Sequence, residues 1–249
     1  MRRLCGLSAL VATISVGLGG ALRAAEPAST PEQSKKVRIV LVGDSTVAQS
    51  SGWGPGFMAL VKPSAECLNM AKGGRSSKNF YDSGLWKGAL AAKPRYVLIQ
   101  FGHNDQPGKG PARETDPQTT YRDYLKKYVD EARAVGAEPI LVTSLTRRLF
   151  TPEGKIRSTL VPYVEAMKAV AAEKKVPLVD LHARSIELCE KLGMQEAKTL
   201  GPVSADDPKL VDVTHLNAKG AETFAAIIAE ELKRAAPELA GHLETEKKP

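Results

Sequence analysis

The sequence predicts an α/β protein, a parallel sheet of five strands with helices on both faces. Three observations lead there. Short apolar runs alternate with longer stretches of helical periodicity. The apolar runs lack clean alternation of apolar and polar residues, as expected of strands buried on both faces. The 249 residues, 43% hydrophobic and 25% charged, suit one globular domain with a substantial core.

The elements follow in chain order. Arg2 and Arg3 precede an apolar run from Leu4 to Leu22, and the small residues Ala24 and Ala25 come after it, so residues 1–25 read as a secretory signal peptide. The run approaches the length of a membrane span, roughly 17 residues at minimum. Its Gly, Ser and Thr content and the alanines behind it favour cleavage over retention as an anchor. Cys5 lies ahead of the run and does not mark a lipid-attachment site. Residues 26–36, "EPASTPEQSKK", form a polar leader with two prolines. A domain over residues 37–240 then carries five strand-like runs: "VRIVLVG", "ECLNMA", "RYVLIQFG", "EPILVTS" and "VPLVDL". Helical patterns cover Pro117 to Val135, bounded by Gly136, and Leu160 to Lys175, with lysines in its last turn. A third runs from Asn217 to Ala235, with Phe224, Ile227, Ile228 and Leu232 on one face. The stretch from Leu192 to Val213 reads as a long polar loop, and residues 241–249 as a charged tail containing His242.

Composition narrows the function. The net charge of +7 falls to +4 once Arg2, Arg3 and Arg23 are removed with the signal peptide. A mildly basic protein does not require nucleic acid as a partner and is compatible with an acidic polymer as substrate. Aromatic residues, at 5%, are too few for a stacking platform along single strands. After cleavage two cysteines remain, Cys67 and Cys189, as one disulfide or two buried thiols. No membrane association is expected of the mature chain, and a monomer is expected.

In a parallel sheet of this kind ligands bind outside the carboxyl ends of the strands. The chemistry-bearing residues stand there. Gly43-Asp44-Ser45-Thr46 follows the first strand, Lys72-Gly73-Gly74-Arg75-Ser76 the second and Gly102-His103-Asn104-Asp105 the third. Asp212-Val213-Thr214-His215 precedes the last helix. A serine needs a base, and the base an orienting acid. Asp212 stands three residues before His215, close enough to curl back to the ring and leave its other nitrogen for Ser45. Asp-x-x-His alone is a weak motif, and His182, directly after the fifth strand, is expected to be solvated or to cap. A metal site lacks the three or four ligands it needs. Gly74 lets a backbone N–H approach a reacting atom, and Asn104 supplies an amide, both suited to an oxyanion. "KGGRSS" matches no phosphate-loop pattern. Each block alone is ordinary turn chemistry; their joint placement at strand ends is what points to ester hydrolysis.

The four blocks resemble those of the GDSL/SGNH hydrolases, and "VGDSTVA", "NMAKGGRSS", "IQFGHND" and "VTHLNAKG" are similar to the rhamnogalacturonan acetylesterase branch. The resemblance implies a flavodoxin-like α/β/α sandwich and a secreted esterase that deacetylates plant cell-wall polysaccharide without cofactor or metal. It implies Ser45 as nucleophile, His215 as base and Asp212 as its orienter. It also implies an oxyanion hole of the Ser45 and Gly74 N–H groups with the Asn104 side chain. Thr46 stands where the name motif has Leu, a departure that the acetylesterase branch shares. Arg75, His103 and Arg147 are candidate substrate contacts. Of Arg147 and Arg148, which leave the fourth strand together, Arg147 is the candidate for meeting a polymer carboxylate. The competing expectation is a bridge from one of them to Glu153 with the other solvated. Other readings on the same machinery are a lipid esterase, a thioesterase or a xylan deacetylase, and outside it a carbohydrate-binding protein without catalysis.

Overall fold

The computed structural model describes residues 36–204, 206–207 and 210–244. The signal peptide, most of the leader and the last five residues lie outside them. In chain order the elements are β1 (Val37–Gly43), α1 (Gly54–Ala59), β2 (Ala65–Asn69), α2 (Ser77–Asp82), α3 (Leu85–Ala91), β3 (Tyr96–Gln100), α4 (Thr120–Ala134), β4 (Glu138–Val142), α5 (Val161–Lys174), β5 (Leu178–Val179), α6 (Leu181–Lys198), α7 (Ala218–Ala235) and α8 (Pro237–Ala240). All strand pairs are parallel and the order is β2-β1-β3-β4-β5.

Alternate side chains of each central strand enter opposite layers. Ile39 and Leu41 of β1 and Leu98 of β3 join Phe57 of α1, Cys189 of α6 and Phe224 and Ile228 of α7. Val40, Val42, Val97 and Ile99 join Trp86, Tyr128 and Met167 of α3, α4 and α5 on the other face. Burial on both faces explains why the sequence shows continuous apolar runs and not period-two patterns. β2 is the exception: it lies at the sheet edge and is only partly buried, with Leu68 37% exposed.

Several boundaries differ from the sequence expectation. The run "VPLVDL" keeps only two residues as strand, because Asp180 turns away to cap α6 by accepting from the Ala183 N–H. The polar stretch from Leu192 is not loop throughout: helical structure continues to Lys198, with a break at Gly193, whose φ of 75° ends the first segment. The short α1, α2 and α3 carry no periodicity long enough to read from sequence. Past Ala240, Leu243 is buried and bridged to Val61, and the His242 ring meets the Ser64 hydroxyl at 3.1 Å. No helix among the described residues is long and apolar enough to cross a membrane.

The strand order reverses between β1 and β3, and the crevice at such a switch point opens at the carboxyl ends of those two strands. The loops carrying Ser45 and Asn104 leave the sheet there.

Candidate active site

Ser45 stands on a turn that its neighbours hold rigidly. The Val47 and Ala48 N–H groups donate to the Asp44 carbonyl at 3.2 and 3.1 Å. The buried Asp44 carboxylate accepts from the Thr46 N–H at 2.8 Å and the Thr46 hydroxyl at 2.7 Å. Gln100 Nε2 donates to the same hydroxyl at 2.6 Å, and Trp53 Nε1 donates to Gln100 Oε1 at 2.9 Å. A buried chain of hydrogen bonds therefore runs under the turn and leaves the half-buried Ser45 hydroxyl pointing out of it.

The base arrives from the other end of the chain. His215 Nε2 lies 2.9 Å from Ser45 Oγ, and His215 Nδ1 lies 2.7 Å from Asp212 Oδ2. Asp212 Oδ1 accepts the Thr214 and His215 N–H groups at 2.7 and 2.9 Å. Burial alone would raise this carboxyl, but those N–H groups and the imidazole hold it below the usual carboxylate range. It is therefore ionised at neutral pH and fixes Nδ1 as the protonated ring nitrogen. Nε2 is left to accept the Ser45 proton.

The loop bearing the acid and base is pinned on both flanks. The Leu216 N–H donates to the Ser51 carbonyl at 2.9 Å, and the Ser51 hydroxyl donates to the Ser45 carbonyl at 2.8 Å. Asn217 caps α7 by accepting from the Gly220 N–H at 2.9 Å, and its amide donates to the Thr199 and Gly201 carbonyls. The strongest tie is one that sequence reasoning missed. Arg148 Nη2 donates to the carbonyls of both Asp212 and His215, each at 2.6 Å, and the Arg148 N–H donates to Val213 at 2.8 Å. Arg148 is 2% exposed, so neither solvation nor a bridge to Glu153 describes it. Gly201 makes room for it: a Cβ there would stand 2.3 Å from both Arg148 Nη2 and the Asp212 carbonyl. The only sequence signal was an arginine at a strand end, which does not announce a backbone clamp.

Groups suited to receive an oxyanion stand on the loops after β2 and β3. Gly74 adopts φ +72°, a conformation that favours glycine, and a Cβ on its neighbour Gly73 would stand 3.8 Å from Ser45 Cβ. Neither the Ser45 nor the Gly74 N–H donates to an acceptor among the described residues. Asn104 is 9% exposed; Nδ2 gives one hydrogen to the Arg75 carbonyl at 3.0 Å and has a second to offer.

The other candidates fall in different places. The half-buried Arg147 donates through Nη1 to Gln106 Oε1 at 2.8 Å and Thr159 Oγ1 at 2.7 Å. Burial lowers its pKa, and the nearby Asp44 charge opposes that. Arg75 contributes its carbonyl to Asn104 and keeps its side chain half-buried. His103 is 3% exposed, with Nδ1 3.6 Å from Asp44 Oδ2 beside the turn that carries Ser45. Burial would raise Asp44, and His103 together with Thr46 holds it down. His182 is neither solvated nor a side-chain cap: it is 4% exposed, with Nδ1 at 2.8 Å from the Ser144 carbonyl and Nε2 at 2.9 Å from the Ser158 hydroxyl. Asp105 is occupied by Ser77 and Thr115. Cys67 and Cys189 are free thiols, pushed up by burial to about 12 and about 11. Among the described residues no cluster of three or more His, Cys, Asp or Glu side chains could hold a metal ion.

The profile of the GDSL-like Lipase/Acylhydrolase family matches residues 41–223, a span that includes Ser45, Gly74, Asn104, Asp212 and His215. The chain belongs to the GDSL-like lipase/acylhydrolase family. As a member it is a carboxylic ester hydrolase. It is 38% identical over 227 residues to the rhamnogalacturonan acetylesterase RhgT of Bacillus subtilis, covering 84% of this chain and 95% of that protein. It is 35% identical over 203 residues to the probable rhamnogalacturonan acetylesterase YesY of the same organism, covering 78% and 92%. Its fold is similar to the solved structure of YxiM from Bacillus subtilis, with a TM-score of 0.67 and 27% identity over 80% of this chain and 57% of that one. In this family setting the serine near the start of the domain, outside any G-x-S-x-G elbow, separates the chain from the α/β-hydrolases.

Proposed function

We propose that this family member is an exported acetylesterase that removes acetyl groups from pectic polysaccharide, with acetylated rhamnogalacturonan as its polymer. The observation that carries the reading is the hydrogen-bonded line from Ser45 Oγ through His215 to Asp212, at 2.9 and 2.7 Å, together with the Ser45 and Gly74 N–H groups, which have no acceptor among the described residues. The names of the two similar Bacillus proteins support the polymer, and the signal-like residues 1–25 support export.

The geometry performs the chemistry in two steps. His215 Nε2 takes the Ser45 proton as Oγ attacks the acetyl carbonyl. Negative charge gathers on the carbonyl oxygen, where the Ser45 and Gly74 N–H groups and Asn104 Nδ2 receive it. The tetrahedral species collapses, and His215 gives its proton to the departing sugar oxygen. A water then attacks the acetyl-serine, deprotonated by the same imidazole, and acetate leaves as Ser45 regains its proton. Asp212 keeps the ring oriented and stabilises its charged form throughout. Arg147 has Nε and Nη2 without partners among the described residues, a fork suited to a galacturonate carboxylate.

The test is acetate release from acetylated rhamnogalacturonan, homogalacturonan, xylan and mannan, with Ser45→Ala as the control. Rhamnogalacturonan is expected to be the preferred polymer and the variant to be inactive on all four. Preference for xylan or mannan would defeat the pectic reading, and an active Ser45→Ala enzyme would defeat the triad.

A further inference from the structure

Three buried polar atoms in one place have no hydrogen-bond partner among the described residues: Asp44 Oδ2 and both ring nitrogens of His103. Asp44 is fully buried and His103 is 3% exposed. A buried polar group without a partner is uncommon, and a buried carboxylate in that state is costly. Asp44 turns its other oxygen to Thr46, whose N–H and hydroxyl both donate to Oδ1. His103 Nδ1 faces Oδ2 at 3.6 Å, too far for a hydrogen bond in the free enzyme. Hydrogen bonds in catalytic sites are often long in the free enzyme and shorten when the reacting complex forms.

The pair spans two loops that both serve the oxyanion. β1 and β3 are neighbours in the sheet, with Gly43 in register with Gln100. Asp44 follows Gly43 directly and precedes Ser45, which offers its N–H. His103 lies three residues beyond Gln100 and precedes Asn104, which offers its amide. The chain entering His103 is tightly held. Gly102 adopts φ +145°, which favours glycine, and a Cβ there would lie 2.3 Å from Ser144 Oγ. The Asp105 N–H closes the turn on the Gly102 carbonyl at 3.2 Å. The bond from Gln100 Nε2 to the Thr46 hydroxyl at 2.6 Å ties the two loops once. Asp44 and His103 are placed to tie them again, each one residue from a donor. Other charged or titratable groups sense the pair but bond elsewhere. Arg147 feels the Asp44 charge and donates to Gln106 and Thr159. His182 feels His103 and has its ring nitrogens on Ser144 and Ser158.

We propose that His103 is a positioning residue: its Nδ1–H closes on Asp44 Oδ2 as the oxyanion forms and thereby holds the Asn104 amide at the spacing from the Ser45 N–H that the oxyanion requires. The proposal rests on the assignment of Ser45 as nucleophile and not on the identity of the polymer. His103 acts through Asn104, so it favours the tetrahedral state over the bound ester. Its loss should therefore appear in kcat and not in KM.

The test is a double-mutant cycle on p-nitrophenyl acetate with wild type, His103→Leu, Asn104→Ala and the double variant, and with Ser45→Ala as the control. His103→Leu is expected to lose about 10- to 100-fold in kcat, on the scale of a misplaced oxyanion donor, with KM within about twofold. In the Asn104→Ala background the same substitution should cost no more than about threefold, because the group it positions is gone. His103→Asn sets an amide nitrogen where Nδ1 stood and should recover most of kcat. His103→Gln reaches the position of Nε2 and should not. Affinity for methylboronic acid, which binds a nucleophilic serine as a tetrahedral adduct, should weaken in step with kcat. A His103→Leu enzyme with kcat within about twofold of wild type would overturn the proposal, as would a change confined to KM, which would make His103 a substrate contact. Losses that multiply in the double variant would show that His103 does not act through Asn104. If His103→Leu does not fold, the Asn and Gln variants decide, and equal activity in the two would overturn the role of Nδ1. An active Ser45→Ala enzyme would overturn the triad itself, an outcome distinct from all of these.

Discussion

Replacing Arg148 by methionine removes a buried guanidinium while keeping most of the side chain's length. Two charge-assisted hydrogen bonds disappear, those from Nη2 to the Asp212 and His215 carbonyls at 2.6 Å. Such bonds are worth about 1.5–3 kcal/mol each. Much of that is recovered, because Arg148 Nε and Nη1 have no hydrogen-bond partner among the described residues and their desolvation cost vanishes with the charge. The net loss of stability is expected to be about 1–2 kcal/mol, a fall in Tm of about 2–8 °C for a domain of this size. The effect on catalysis should be larger than that suggests. Both carbonyls belong to the loop that fixes the His215 ring, and a displacement of about 1 Å at a reacting group costs about 10²-fold. The expectation is a fall in kcat on p-nitrophenyl acetate of about 10- to 100-fold, with partial recovery in Arg148→Lys, which keeps a charged donor but not the planar fork. Steady-state kinetics and thermal unfolding of the same preparations measure both. If Arg148→Met lowers Tm but leaves kcat within about twofold of wild type, the clamp supports the fold and does not position the base.

Three other substitutions probe separate parts of the site. Asp212→Asn keeps the shape but stabilises the wrong imidazole tautomer, and in a serine-protease triad that change costs about 10⁴ in kcat. With the Asp212 side chain 37% exposed, water softens the effect, and a loss of about 10²–10⁴ is expected; less than tenfold would mean that Asp212 does not orient the base. Asn104→Ala should lower kcat by about 10²–10³ with little change in KM, as for other oxyanion donors, and a change confined to KM would make Asn104 a substrate contact. Burial raises the Asp105 carboxyl from 3.8 to about 7 against the opposing bonds from Ser77 and Thr115. A raised native pKa adds stability below the unfolded value that is lost as pH rises through about 7. Asp105→Asn should therefore flatten the decline of Tm between about pH 4 and 7, and parallel wild-type and variant curves over that window would refute the account.

How far the sequence reaches can be traced through particular residues. β1, β3 and β4 were legible because their continuous apolar runs have one physical cause, burial under helices on both faces. α4 and α7 were legible because helical periodicity over fifteen residues or more outweighs local noise, and α5 because basic residues mark its last turn. β5 was overestimated because Asp180 prefers the N-cap of α6, a competition that a strand pattern does not register. The far part of α6 was read as loop because its polar residues and Gly193 look like a connection.

In the site, the arrangement was legible wherever it follows from local rules. A serine, a glycine and an asparagine after three strands, with Asp-x-x-His before the last helix, are short-range patterns, and the topology of a parallel sheet gathers strand ends at one edge. Only the tertiary structure decided which long-range partners complete them. It joined Ser45 to His215 across 170 positions at 2.9 Å. It buried Arg148 to clamp the acid and base while leaving its neighbour Arg147 half-open. It drew His103 and His182 inside, and it set Val203 and Leu210 in the open beside Asp212. The reason is physical. Type and spacing of residues determine what a segment can do alone, but burial, the partner of a charge and the direction of a side chain depend on what the rest of the chain packs against it.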